Sequence, residues 1–81
     1  MESTVKLSSL PLGDWGVVTR IEAQPDMARR LKDMGLVTGT RVMCRLVSPA
    51  GDPRAYVIRG ALIALRQKDA DGIRVEPWQG C

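Results

Sequence analysis

Thr40-Arg41-Val42-Met43-Cys44-Arg45-Leu46-Val47, then Ser48-Pro49-Ala50-Gly51-Asp52-Pro53, then Arg54-Ala55-Tyr56-Val57-Ile58-Arg59: these consecutive residues decide between sheet and helix. In the first run Val42, Cys44 and Leu46 fall on one face and Arg41, Met43, Arg45 and Val47 on the other, the period-two alternation of a strand lying on a core. In the last run Ala55, Val57 and Arg59 alternate with Tyr56 and Ile58. Two prolines and a glycine between Pro49 and Pro53 cannot sustain ladder pairing, so the chain turns there. Gly39 marks the turn into the first run, and Gly60 ends or bends the last.

Upstream, Trp15 to Ala23 reads as another strand from its Val, Ile and Thr content, with Gly16 a candidate bulge or bend. Pro25 and Asp26 then change the period. Met27, Ala28, Leu31 and Met34 recur at helical spacing while Arg29, Arg30, Lys32 and Asp33 take the other faces. This predicts one short amphipathic helix, started by Pro25, favoured by Asp26 at its positive end and closed by Gly35, with its apolar stripe over one open end of the sheet. Downstream, Ala61 to Arg66 fits a helical turn through Leu62 and Leu65 or a strand through Ala61, Ile63 and Leu65; the strand is preferred, entering a tight turn at Lys68 to Gly72. Ile73-Arg74-Val75-Glu76 closes the pattern as a last strand before Pro77, and Trp78 to Cys81 reads as a frayed tail. Short strands at close spacing around one helix predict a mainly β fold with one short α-helix, a small antiparallel β-barrel closed so as to remove exposed edges. One domain spans residues 1–81, with its core at about 7–76 and a tail at 77–81.

A chain of 81 residues with no Phe, two Trp and one Tyr must build its core from Val, Leu, Ile and Met, and at this size every large apolar side chain counts. The longest apolar run, Gly60 to Leu65, falls far short of the roughly 20 residues of a membrane span. The first residues lack the apolar stretch of a secretory signal, and Cys44 and Cys81 form neither a CxxC pair nor a disulfide framework; a cytoplasmic location is expected. Cys44 reads as a small core residue and Cys81 as a terminal thiol open to accidental oxidation. Twelve basic against nine acidic residues give +3, spread as mixed signs with no long basic run.

The chain has no histidine, so the commonest general base and nitrogen metal ligand are both missing. No phosphate-binding loop, nucleophile elbow or zinc-protease motif occurs. Asp69, Asp71 and Glu76, or Asp14 and Asp52, offer oxygen ligands but not calcium-loop spacing, and Asp69-Ala70-Asp71-Gly72 is better explained as a turn. Cys44, Met27, Met34 and Met43 sit at core spacing and are not assigned as ligands. No catalytic residue, cofactor or metal site is assigned. Trp15 reads as a core or rim residue; Trp78 is open between an interface anchor and a surface cover.

Three ordered stretches resemble the FeoA family: Leu10-Pro11-Leu12-Gly13; Arg30-Leu31-Lys32-Asp33-Met34-Gly35-Leu36 with Gly39-Thr40; and Pro49 to Pro53 through Gly60 and Ala64-Leu65-Arg66, followed by Ile73-Arg74-Val75. The resemblance runs over about residues 7 to 76; Met34 stands where leucine is usual, and Thr38 where proline is common. It implies an SH3-like barrel, similar to the carboxy-terminal domain of metal-dependent repressors of the diphtheria-toxin-repressor type. It further implies a cytoplasmic accessory protein that binds the membrane ferrous-iron transporter FeoB and is not itself an enzyme. On that reading Arg29, Arg30 and Lys32 on the outer helix face, with Asp52 and Pro53 in the loop, are the candidate partner contacts. The alternatives are a metal- or effector-sensing module and a small-barrel nucleic-acid binder. A homo-oligomer is compatible with the sequence, although it carries no heptad and no obvious apolar patch.

Overall fold

The computed structural model describes residues 4–78. In chain order these form β1 (Val5–Lys6), a 3₁₀ turn (Leu7–Ser9), β2 (Trp15–Ile21), α1 (Pro25–Asp33), β3 (Arg41–Val47), β4 (Arg54–Ile58), β5 (Ala61–Leu65), α2 (Gln67–Ala70) and β6 (Ile73–Trp78). The strands make one six-stranded sheet in the order β1-β6-β2-β3-β4-β5, with antiparallel neighbours throughout. The mainly β class is as expected. The expected closure is not: β1 and β5 stand as the two edges of the sheet.

α1 ends as its sequence dictates. Gly35 takes a φ of +91°, the left-handed conformation that L side chains avoid. Its N–H donates to the Lys32 carbonyl at 2.9 Å, and the Leu36 N–H donates to the Leu31 carbonyl at 2.8 Å. This is the paired bonding of a Schellman closure, with its customary apolar contact position filled by Leu31 and Leu36, both fully buried. Thr40 secures the exit: its hydroxyl donates to the Gly35 carbonyl and accepts the Val37 N–H, each at 3.1 Å. Thr40, the one buried residue of polar or charged type among the described residues, is thereby satisfied on both sides.

The core is the inner face of the sheet, Val18, Val42, Cys44, Tyr56, Ile58, Ile73 and Val75, covered by Leu7 and Leu10 from the amino-terminal segment and by Leu31 and Leu36 from the α1 region. Met27 and Met34 pack against it in part, so the helix stripe is used as predicted. Leu46 is not in the core. Between Cys44 and Leu46 the β3–β4 register shifts, and a bulge that spends one extra residue moves every later side chain to the opposite face; Leu46 is 54% exposed. A second shift lies at Thr19, between Val18 and Arg20 in the β2–β6 pairing, and not at Gly16. Gly16 serves close packing instead: a Cβ there would sit 3.1 Å from the Val75 side chain.

Two further expectations are corrected. Most of the tight turn expected at Lys68 to Gly72 is a helical turn, α2, whose first N–H, on Gln67, is accepted by the Asp52 carboxylate at 2.9 Å. Trp78 is not a frayed end: β6 continues through Pro77, pairing Trp78 with Trp15 and Pro77 with Gly16. Pro77 is tolerated because the described pairing of β1 with β6 runs only from Val75 to Arg74, leaving no described ladder on that side of Pro77 for its missing N–H to break. The tail residues 79–81, with Cys81, lie outside the described residues. The segment that opens the expected core is tied to the sheet by side chains: Arg54 donates to the Leu10 carbonyl at 2.8 Å and the Tyr56 hydroxyl donates to the Leu7 carbonyl at 3.3 Å.

Candidate functional site

The register of β2 against β6 sets Trp15 opposite Trp78. Their rings meet edge to face, with centroids 6.1 Å apart and planes at 80°, the arrangement that ring quadrupoles favour. Arg41, at the start of β3, lays its guanidinium over the Trp78 ring, 4.8 Å from the centroid, within cation–π range. Val57 of β4 and Arg59 of the β4–β5 turn complete the wall of a groove of about 550 Å³. Gly39 and Gly60 form its rim, and a Cβ added to either would meet nothing within 4 Å. The rim is open to an approaching chain.

Arg59 occupies a costly position. The β4–β5 hairpin closes with Ile58 opposite Ala61, and both intervening residues, Arg59 at +50° and Gly60 at +82°, have positive φ. Such a two-residue turn favours Asn-Gly or Gly-Gly, because a branched or long side chain is strained there. Arg59 is nevertheless present, and its Nε donates to the Gly35 carbonyl at 3.1 Å, joining the groove to the end of α1. Neither Arg41 nor Arg59 is paired with a carboxylate among the described residues; the ion pair found there is Arg20 with Glu22, out in solvent.

The residues expected from the sequence lie elsewhere. Arg29, Arg30 and Lys32 are exposed on α1. Asp52 and Pro53 are half-buried in the β3–β4 loop, Asp52 held by its bond to α2 and Pro53 beside a shallow apolar depression with Leu46, Val47 and Ala64. No hydrogen bond or ion pair among the described residues joins the two sets. Exposed Leu12, Leu46 and Leu62 also give this molecule apolar surface, and at Leu46 alternation in the sequence does not predict it.

Sequence reasoning missed Arg41 and Arg59 and left Trp78 undecided. The available signal was that Arg74, Glu76 and Trp78 keep one phase of alternation across Pro77. Chemically the groove offers ring faces and free guanidinium donors. Among the described residues no three of His, Cys, Asp and Glu gather to hold a metal ion, and no helix is long and apolar enough to cross a membrane.

Fold and groove together define a small SH3-like β domain with a cationic aromatic surface cleft. Residues 5–77 match the FeoA domain family, and the chain belongs to it. It is 35% identical over 72 residues to an Fe(2+) transport protein A/Fe(2+) transporter FeoB fusion protein of Porphyromonas gingivalis, a match covering 89% of this chain and 8% of that protein. Its fold is similar to the solution structure of FeoA from Chlorobium tepidum, at 39% identity and a TM-score of 0.89, covering 95% of this chain and 73% of that one. It is also similar to the Stenotrophomonas maltophilia FeoA solved with zinc and described as a prokaryotic SH3 domain protein, at 30% identity and a TM-score of 0.76, covering 89% of each.

Proposed function

We propose that this chain is a cytoplasmic, non-enzymatic accessory domain of ferrous iron uptake, which binds a FeoB-type transporter from its cytoplasmic side and modulates its activity or assembly. The observation that carries the reading is the Porphyromonas gingivalis relative, in which the FeoA and FeoB functions share one chain. Covalent joining raises the effective concentration of one part at the other, which is of use when the two meet. This chain spans about 8% of that relative, and contact with the remainder is the role this reading gives it. Arg29, Arg30 and Lys32, free on one helix face, supply steering charge, and Asp52 and Pro53 present a second, smaller patch.

The test is titration of the purified protein against the isolated cytoplasmic GTP-binding domain and against the intact transporter in detergent, anaerobically with ferrous iron and nucleotide. Saturable binding to either is expected, and its absence from both overturns the reading.

A further inference from the structure

The groove between Trp15, Trp78, Arg41 and Arg59 gathers groups whose local contacts, an edge-to-face ring pair, a cation–π pair and the Arg59 bond to Gly35, leave both guanidinium charges unneutralised by any carboxylate among the described residues. A solvent-facing tryptophan, 37% exposed at Trp15, meets a second one edge to face. Two arginines face the same space without a carboxylate partner among the described residues. One of them holds a left-handed backbone conformation that asparagine or glycine would adopt at lower cost. A strained residue bearing the charge of a concave surface points toward recognition. The glycine rim allows a backbone to approach closely.

We propose that this groove binds an extended acidic peptide segment of the partner protein, one or two carboxylates pairing with Arg41 and Arg59 while a neighbouring apolar or aromatic side chain packs on Trp15 and Trp78. Charge complementarity selects this occupant, because among the described residues the only charged groups lining the groove are the two arginines. A guanidinium presents a planar fork of donors that matches a carboxylate, and tryptophan with arginine is the pairing that carries binding energy at desolvated contact points. A nucleic acid strand is a poorer fit: it needs cations spaced along a path and successive stacking platforms, whereas the Trp15 and Trp78 rings stand at 80° to each other and share one site. Such a groove supplies the contact surface that the accessory-domain reading requires, and its assignment to a partner protein rests on that reading.

Both tryptophans of the chain line the groove, so intrinsic fluorescence reports its occupancy. The experiment titrates the full-length protein with a short peptide alternating Glu with Leu and Trp-free, with the same peptide carrying Gln for Glu, and with oligo(dT), and repeats each titration with Arg41→Gln, Arg59→Asn and the double variant. Arg59→Asn suits the turn better than arginine does, so a folded protein is expected, checked by its melting curve. The Glu peptide alone is expected to perturb the fluorescence saturably, with affinity falling as salt rises and about tenfold weaker in the double variant. The same double variant is expected to weaken binding to the transporter's cytoplasmic domain by a similar factor.

Equal response to the Glu and Gln peptides, no response to either, or preferred binding of oligo(dT) overturns the inference. Transporter binding that survives unchanged in the double variant also overturns it, while leaving the accessory-domain reading intact. The opposite pattern, a Glu peptide that binds through the arginines and a transporter that does not bind at all, upholds the groove as an acidic-peptide site and overturns the partner assignment.

Discussion

Tyr56 and Arg54 lie two apart on β4 and both reach back to the amino-terminal segment, so the chain's first turn is held to its sheet by side chains and not by propensity. The Tyr56 ring is fully buried, and burial, assisted by nearby Cys44 and opposed by Arg54, pushes its hydroxyl from 10.0 up to about 12. The folded state therefore holds this proton more tightly than the unfolded chain does. The Tyr56 contribution is whole below the unfolded value and is lost as pH climbs through the folded one. Urea unfolding between about pH 8 and about pH 11 should show an alkaline loss of stability that Tyr56→Phe reduces, at a cost near neutrality of about 0.5–1.5 kcal/mol for the lost bond to Leu7. An identical alkaline slope in the variant would refute the assignment. Arg54 is a stronger tie, its charged donor meeting the Leu10 carbonyl at 2.8 Å and the Cys44 sulfur at 3.8 Å. Arg54→Met should cost about 1.5–3 kcal/mol and, more tellingly, should accelerate amide exchange at Leu10, whose N–H closes the turn onto Leu7. A uniform change in exchange would mean that Arg54 stabilises the whole sheet and not this segment.

Among the elements, α1 separates packing from surface most cleanly. Leu31 is fully buried on its inner face, and Leu31→Ala should cost about 2–5 kcal/mol, a large part of the roughly 4–12 kcal/mol available to a domain of this length. Reversing Arg29, Arg30 and Lys32 to Glu, all exposed, should change stability by no more than about 0.5 kcal/mol per site. Chemical denaturation of both variants measures the contrast, and comparable losses would show that the outer face is packed. This helix was legible because its apolar period, its proline start and its glycine stop agree. The strands were legible wherever alternation ran unbroken, as at Val42 to Cys44 and Ile73 to Val75. Legibility failed at local exceptions to that period: the bulge before Leu46, Pro77 inside β6, and the lead-in whose Leu7 and Leu10 reach the core through a 3₁₀ turn with no periodicity of its own. The groove failed for a different reason. Trp15, Arg41, Arg59 and Trp78 come from four separate parts of the chain, and only strand register brings them together.

At the scale of the molecule, the α1 face and the groove are joined at the Gly35 carbonyl, which accepts from both Thr40 and Arg59. A partner covering both would meet five cations, yet these need not act alike. Exposed rim charges steer encounter and act on the association rate, whereas charges inside a desolvated cleft hold the bound state and act on dissociation. Charge reversal of Arg29, Arg30 and Lys32 moves the formal net charge from +3 to −3, six units for three residues. It should lower the association rate with the transporter's cytoplasmic domain about tenfold at low ionic strength, with the difference shrinking as the Debye length falls toward about 8 Å near physiological salt. Arg41→Gln with Arg59→Asn should instead raise the dissociation rate and leave association nearly unchanged. Stopped-flow binding at two salt concentrations separates the two, and combining the sets should give free-energy changes that add within about 0.5 kcal/mol if they contact separate regions of the partner. Strong non-additivity would mean that one acidic stretch spans both surfaces, with Gly35 at its midpoint. An association rate insensitive to the helix charges would remove α1 from the interface and leave recognition to the groove and the Asp52–Pro53 patch.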